Sequence, residues 1–161
     1  MAFETLIAEA AAAVEGSSLG AAMRGSKGWY PAVNVAHLAG LVLLVGGIGV
    51  LDLRVAGLGR AIPILALSRL VTPIAVAGLL LLLASGFLLF SADAGPLVRS
   101  ATFQLKMALL AVGVANALAF RRLFGDFQEG REPPPAARLM AVASICLWLT
   151  VGALGRLIAY S

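Results

Sequence analysis

The chain has 161 residues, of which 61% are hydrophobic and 12% are charged, and its formal net charge is +4. A soluble domain is typically about 45–50% apolar and about 25% charged, so this composition excludes an ordinary soluble protein. The cations lie between apolar runs and are not interleaved with aromatic residues. This pattern argues against nucleic-acid binding and indicates an orientation signal in a membrane. The lone Cys146 excludes an intrachain disulfide and a cysteine-rich metal site.

Residues 1–27 are predicted to form an N-terminal amphipathic segment. Apolar residues recur at helical spacing between Phe3 and Val14, and Gly16 ends the pattern. Such a helix could lie on the membrane surface or cover the mouth of a bundle. We expect the surface location.

Residues 28–161 are predicted to form the transmembrane domain. They contain four apolar runs, each near the ~20 residues that span the hydrocarbon core, and only helices satisfy the backbone there. Because the connections are short, we predict an all-α fold, an up-down transmembrane four-helix bundle in contact with the lipid bilayer. The runs are residues 30–51, 70–90, 101–120 and 139–159.

The distribution of Lys and Arg predicts the orientation. The side with the first and third connections has seven cations, and the other side has at most five. By the positive-inside rule we expect both termini to lie outside the cytoplasm. The seven are Arg54, Arg60, Arg69, Arg121, Arg122, Arg131 and Arg138; the five are Arg24, Lys27, Arg99, Lys106 and Arg156.

Three side chains are predicted to meet in one layer near the outer face. His37, the only histidine, lies ~10 Å inside its helix, and Lys106 and Arg156 lie ~7 Å and ~6 Å inside theirs. Ionisable groups within the bilayer tend to face the protein interior and to carry function. Asn34 and Gly40 share the helix face of His37.

This layer suits several ligands. His37 could bind the iron of a b-type haem, with Lys106 and Arg156 paired to the propionates and Gly40 leaving room for the macrocycle. The second axial ligand would be a methionine or a group from a second copy, or the iron would be five-coordinate. A quinone, or no cofactor at all, is the alternative. One histidine without clustered Met or Cys makes a poor copper site.

Simpler roles exist for the same polar residues. His37 could be a hydrogen-bond partner between helices, and Lys106 and Arg156 could extend to the lipid headgroups. The motif Asp52-Leu53-Arg54 indicates an ion pair or a helix stop. Asn116 is expected to bond to a neighbouring helix.

Several motifs occur together in this chain and carry a resemblance. They are Trp29-Tyr30-Pro31, Asn34, His37, Gly40, Gly46, Asp52-Leu53-Arg54, Phe103-x-x-Lys106-Met107, Asn116 and Gly155-Arg156-x-x-Ala159-Tyr160. Over about residues 18–160 the chain resembles a bacterial four-helix membrane family of unknown function. More distantly it is similar to HemJ-type protoporphyrinogen oxidases and to copper-resistance D membrane proteins. The HemJ-type similarity implies that His37 and Lys106 take part in haem binding. Since a further histidine after the lysine helix is missing, it implies haem binding rather than porphyrinogen oxidation.

The sequence therefore supports two possible functions. It does not decide whether the protein is an enzyme. The first is a haem-binding redox or electron-transfer protein with its site near the outer face. The second is a non-catalytic membrane anchor or scaffold of a larger redox or metal-handling complex, with a membrane partner or a second copy of the chain. Few polar residues line the inner half, which argues against a small transporter.

Overall fold

The structure, a computed structural model, describes residues 2–125 and 132–158. Within those residues every regular element is a helix, which confirms the predicted all-α fold. Arg131, Ala159 and Tyr160 lie outside the described residues. The helices are α1 (Ala2–Glu15), α2 (Ser18–Gly25), α3 (Trp29–Ala56), α4 (Ile64–Ala92), α5 (Ala94–Arg99), α6 (Ala101–Phe124) and α7 (Pro135–Leu157).

Helices α3, α4, α6 and α7 are each long and apolar enough to cross a membrane. They contain 28, 29, 24 and 23 residues, against the ~20 that the hydrocarbon core requires. Helix α3 packs on α4, and α6 packs on α7, as short connections between antiparallel helices predict. The predicted transmembrane four-helix bundle is confirmed, and the protein is a multi-pass membrane protein whose apolar surfaces contact lipid.

The membrane helices extend beyond the apolar runs at one end of the bundle. Helix α3 continues five residues past its run, to Ala56, and α4 begins six residues before its run, at Ile64. A helix closes its own backbone hydrogen bonds, and arginine is a good helix former, so the helices continue into the interface. We call this the arginine-rich end, and the opposite end the His37 end. The arginine-rich end holds Arg54, Arg60, Arg69, Arg121, Arg122 and Arg138.

Helix α3 occupies the middle of the bundle. It packs most extensively on α4 and also on α7, and α6 packs on the other side of α7. The order across the bundle is therefore α4, α3, α7, α6. Within α6, Gly113 is the only buried residue. Helices α4 and α6 are in contact at the His37 end, where Phe90 and Phe103 stack.

Glycines bring α3 and α4 into backbone contact. A Cβ on Gly78 would lie 2.5 Å from Leu44 N and 2.8 Å from Gly40 O. A Cβ on Gly40 would lie 3.0 Å from Gly78 O. Such distances leave no space for a side chain, so these residues set the spacing of the two helices. We expected Gly40 to leave room for a macrocycle. This expectation is wrong, because the α4 backbone fills that space.

Helices α1 and α2 fold over the His37 end. Helix α1 packs mainly on α5, and α2 packs mainly on α4, where Met23 is buried. Glu15 Oε2 accepts a hydrogen bond from Gly95 N at 2.7 Å, and Arg24 Nη1 donates to Ala92 O at 3.0 Å. These contacts tie the segment to the junction of α4 and α5. The segment is therefore packed on α4 and α5 at the His37 end, and its location on the membrane surface stays a prediction.

The end of α3 is held by Arg54 without an ion pair to Asp52. Arg54 is buried, and its Nε and Nη2 donate to Ile62 O at 2.6 Å and Arg60 O at 3.0 Å. Residues two apart on a helix point to different faces, so the Asp52 carboxyl is turned away from this guanidinium. The expected ion pair is wrong, whereas the alternative of a helix stop is confirmed, since α3 ends at Ala56.

Candidate functional site

His37 lies in the third turn of α3, and its side chain is directed at α4. The half-buried ring has Nδ1 at 2.9 Å from Ser85 Oγ. A Cβ on Gly86 would lie 3.2 Å from the Cε1 of His37, so a glycine at this position lets the ring approach α4 closely. The ring is therefore held between two helices and is not turned toward lipid.

The hydrogen bonds of Ser85 favour one tautomer of the His37 ring. The Ser85 hydroxyl donates to Leu81 O at 2.5 Å, a bond within α4. A hydroxyl has one proton, so the Ser85 oxygen is left to accept from the Nδ1–H of His37. In the neutral imidazole Nε2 then has a free lone pair. The arrangement leaves Nε2 as the ring atom available to a metal ion or to a hydrogen-bond donor.

Lys106 reaches the same level from α6. Its ammonium lies against α7, where a Cβ on Gly155 would be 3.3 Å from Nζ. Lys106 is half-buried and lies within electrostatic range of His37. A Cβ on Gly152 would lie 3.8 Å from the Leu41 side chain, so these two positions face each other across the contact of α3 and α7. His37 precedes Leu41 by one turn, so it is level with the last turn of α7.

An aromatic pair lies between these two side chains and the His37 end. Phe90 of α4 and Phe103 of α6 stack with ring centroids 5.7 Å apart and ring planes 15° apart. Phe103 precedes Lys106 by three residues at the start of α6, and Phe90 follows Ser85 by five residues near the end of α4. Both rings therefore lie closer to the water than the polar groups do. The pair joins α4 to α6 on the water side of the polar groups.

The other predicted site residues have different surroundings. Arg156 is level with the site, but its side chain is exposed on α7. Asn34 is also exposed. Gly40 is buried against the α4 backbone. The structure therefore gathers His37 with Lys106 and leaves Asn34 outside the site.

The partner that α4 supplies to His37 was not predicted from the sequence. Ser85 and Thr72 are the only polar residues in the apolar run 70–90. A lone serine in a leucine-rich run indicates a hydrogen bond inside the bundle, and this was the available signal. Pairing that serine with His37 required the register of α3 against α4. Helical periodicity within one helix does not contain that register.

The donor set at His37 restricts the kind of metal that it could bind. Among the described residues, no group of three His, Cys, Asp or Glu side chains could hold a metal ion. A bare ion would have one imidazole ligand. The described residues therefore do not supply a complete ligand set for a metal ion at His37.

A second polar layer lies in the arginine-rich half of the bundle. Asn116 Nδ2 donates to Met140 O at 3.3 Å, which confirms the expected bond between α6 and α7. Asp52 is buried, and Ser144 on α7 is its hydrogen-bonding neighbour. One turn beyond Ser144, near the middle of α7, Trp148 Nε1 is also buried without a hydrogen-bond partner. Buried polar groups of this kind need an explanation, because such groups in native proteins are nearly always satisfied.

The comparisons with known proteins give one match. No curated protein and no solved structure matches the chain. A model of a family of unknown function, DUF6644, matches residues 11–161. The match includes α2, all four membrane helices and the residues of the His37 site. The chain therefore belongs to DUF6644, a family of unknown function.

Proposed function

We propose that the protein binds a b-type haem or a similar redox cofactor at the His37 end and acts in electron transfer. The observation that carries this proposal is the hydrogen bond from His37 to Ser85, which leaves Nε2 as the free ring nitrogen. A metal-ligating histidine usually has its other nitrogen bonded in this way, because the bond fixes the tautomer and orients the ring. His37 would be the axial ligand.

A cofactor at His37 would bind at one edge of the ring. Nδ1 and Cε1 lie against Ser85 and Gly86, so a macrocycle could approach only at Nε2. Lys106 would pair with a propionate, and the exposed Arg156 would reach a second one. When bound, haem supplies one-electron chemistry at a potential that the axial ligand and the burial of the site determine.

The remaining ligands follow from what the chain lacks. His37 is the only histidine in the sequence, and Met107, next to Lys106, is 43% exposed. The iron would therefore be five-coordinate or would take its second ligand from another copy of the chain. The distant resemblance of the sequence to HemJ-type proteins would imply haem binding at His37 and Lys106. A quinone is the alternative ligand, with Lys106 donating to a quinone oxygen.

An absorption spectrum tests the haem proposal. We expect protein purified in detergent, after expression with ample haem, to show a Soret band that shifts on reduction. His37→Ala should abolish the band, whereas Leu38→Ala, which changes the next and exposed residue, should retain it. A colourless wild-type protein would contradict the proposal, and so would a band of equal intensity in His37→Ala.

A scaffold role is the second candidate, and the exposure of α6 favours it. Only Gly113 of this helix is buried, so most of its apolar surface is available to lipid, to a membrane partner or to a second copy. Substitutions of exposed α6 residues, such as Leu105→Ala and Leu118→Ala, would then abolish co-purification of a partner. Under this role His37→Ala would leave the partner bound.

We also propose that the His37 end faces the periplasm of a bacterial inner membrane. The excess of arginine at the opposite end supports this orientation. In a Cys146→Ser background, Gly28→Cys and Ala61→Cys would place single thiols at the two ends, both at exposed positions. A membrane-impermeant maleimide should label Gly28→Cys in intact cells and label Ala61→Cys only after lysis. The reverse pattern would contradict the orientation.

A further inference from the structure

Asp52 is a buried acidic residue at the other end of the bundle from His37. It lies four residues before the end of α3, at the contact between α3 and α7, and only 6% of it is exposed. Its Oδ2 is buried and has no hydrogen-bond partner. Ser144 on α7 is the hydrogen-bonding neighbour of the carboxyl group. A carboxyl group with one neighbouring hydroxyl and one orphaned oxygen is unusual inside a packed helix contact.

No basic side chain of residues 2–125 and 132–158 compensates the charge that Asp52 would have if ionised. On α3 itself, Arg54 is turned to the carbonyl groups of the following connection. On α7, Arg138 is paired with Glu132 at 2.9 Å. Within the described part of the chain, the remaining cations of this end do not contact the carboxyl. These are Arg60 in the connection, Arg69 on α4 and Arg121 and Arg122 on α6, and all four are exposed.

The rest of the contact around Asp52 is apolar. The neighbouring Leu51 and Val55 belong to a core cluster with Ala137 and Ala141 of α7. An ionised carboxylate in such surroundings loses its hydration without gaining a counter-charge, which is a large penalty in free energy. Protonation of Oδ2 removes the charge. The geometry therefore favours the neutral acid when α3 and α7 are in contact.

We propose that Asp52 is a reversible proton-binding site in the contact between α3 and α7. A hydronium ion in the water at the arginine-rich end supplies the proton: an O–H bond forms at Oδ2, the carboxylate charge is neutralised, and a water molecule is left. Release transfers the same proton back to water. The end of α3 is only ~6 Å away along the helix axis, so the exchange needs a local opening of the contact and no path through the bundle.

This site is independent of the proposed cofactor at His37. Fifteen residues separate Asp52 from His37 on the same helix, which corresponds to ~22 Å. Because the ionised form is penalised only while the contact is closed, release of the proton favours separation of α3 from α7. The state of Asp52 therefore reports, and biases, the packing of these two helices.

Infrared spectroscopy of the protein in lipid vesicles tests the proposal. At neutral pH we expect a C=O stretching band of a protonated carboxyl group that shifts in D2O. Asp52→Asn should remove the band, and the exposed control Asp93→Asn should retain it. If Asp52→Asn does not fold, Ser144→Ala serves instead, because loss of the neighbouring hydroxyl should shift the frequency of the band.

A pH titration then tests reversibility. The band should disappear on raising the pH and return on lowering it, while the helix content stays constant. Three outcomes would overturn the proposal. They are a band that Asp52→Asn does not change, a band that persists until the protein unfolds, and a band whose loss depends on sodium concentration at fixed pH, which would indicate a cation site instead.

Discussion

His37 Nδ1 and Ser85 Oγ are 2.9 Å apart across the contact of α3 and α4, and this hydrogen bond joins the two helices that pack most extensively. Ser85 is buried, and it also donates to the carbonyl of Leu81 one turn earlier. The pair therefore has two consequences. It stabilises the helix contact, and it leaves Nε2 of the imidazole unprotonated.

Ser85→Ala should destabilise the protein by about 1–3 kcal/mol, because the Nδ1–H of His37 would lose its partner inside the bundle. Ser91→Ala is the matched control. Ser91 is also a buried serine of α4, but its hydroxyl bonds only to Leu88 O of the same helix. Chemical denaturation in detergent measures both. Equal losses in the two variants would show that the bond to His37 contributes nothing.

Gly78→Ala should destabilise the contact of α3 and α4 by about 1–3 kcal/mol or more, because the new Cβ meets backbone atoms that cannot yield. Gly46→Ala is the control, since no atom lies within 4 Å of a Cβ at that position. There the better helix propensity of alanine should stabilise α3 by up to about 1 kcal/mol. Thermal unfolding of the two variants should therefore shift in opposite directions.

Trp148→Phe should change the stability by less than about 1.5 kcal/mol, because it keeps most of the apolar volume and deletes a buried N–H that has no partner. Trp148→Ala should lose about 3–5 kcal/mol through the cavity that it leaves. Denaturant titrations followed by circular dichroism measure both changes. A loss in Trp148→Phe as large as that in Trp148→Ala would mean that the indole N–H is bonded.

Arg24→Ala should loosen α1 and α2, because Arg24 Nη1 bonds to Ala92 O and Nη2 bonds to Glu15 O. We expect amide hydrogen exchange in residues 5–25 to accelerate by roughly tenfold, in line with the typical strength of hydrogen bonds from a charged group. Lys27→Ala, an exposed cation just after α2, should leave exchange unchanged. Acceleration spread evenly over the membrane helices would contradict a local role.

The sequence was sufficient for the number, the class and the approximate depth of the elements. Four apolar runs of membrane-spanning length determine four helices, because lipid offers no other partner to the backbone. The same reasoning placed Asn116 in a bond between helices, which the structure shows with Met140 O. The helix ends at the arginine-rich side were missed, because hydropathy reports where the hydrocarbon begins and not where a helix stops.

Only the tertiary structure decided which polar groups meet. His37 lies next to Ser85, Asp52 lies next to Ser144, and Gly40 packs against the α4 backbone. None of these pairings follows from the periodicity of a single helix. The reason is physical. Lipid sets the length and direction of each span, whereas the rotation and register of one span against another depend on close backbone contacts such as Gly78 on Leu44.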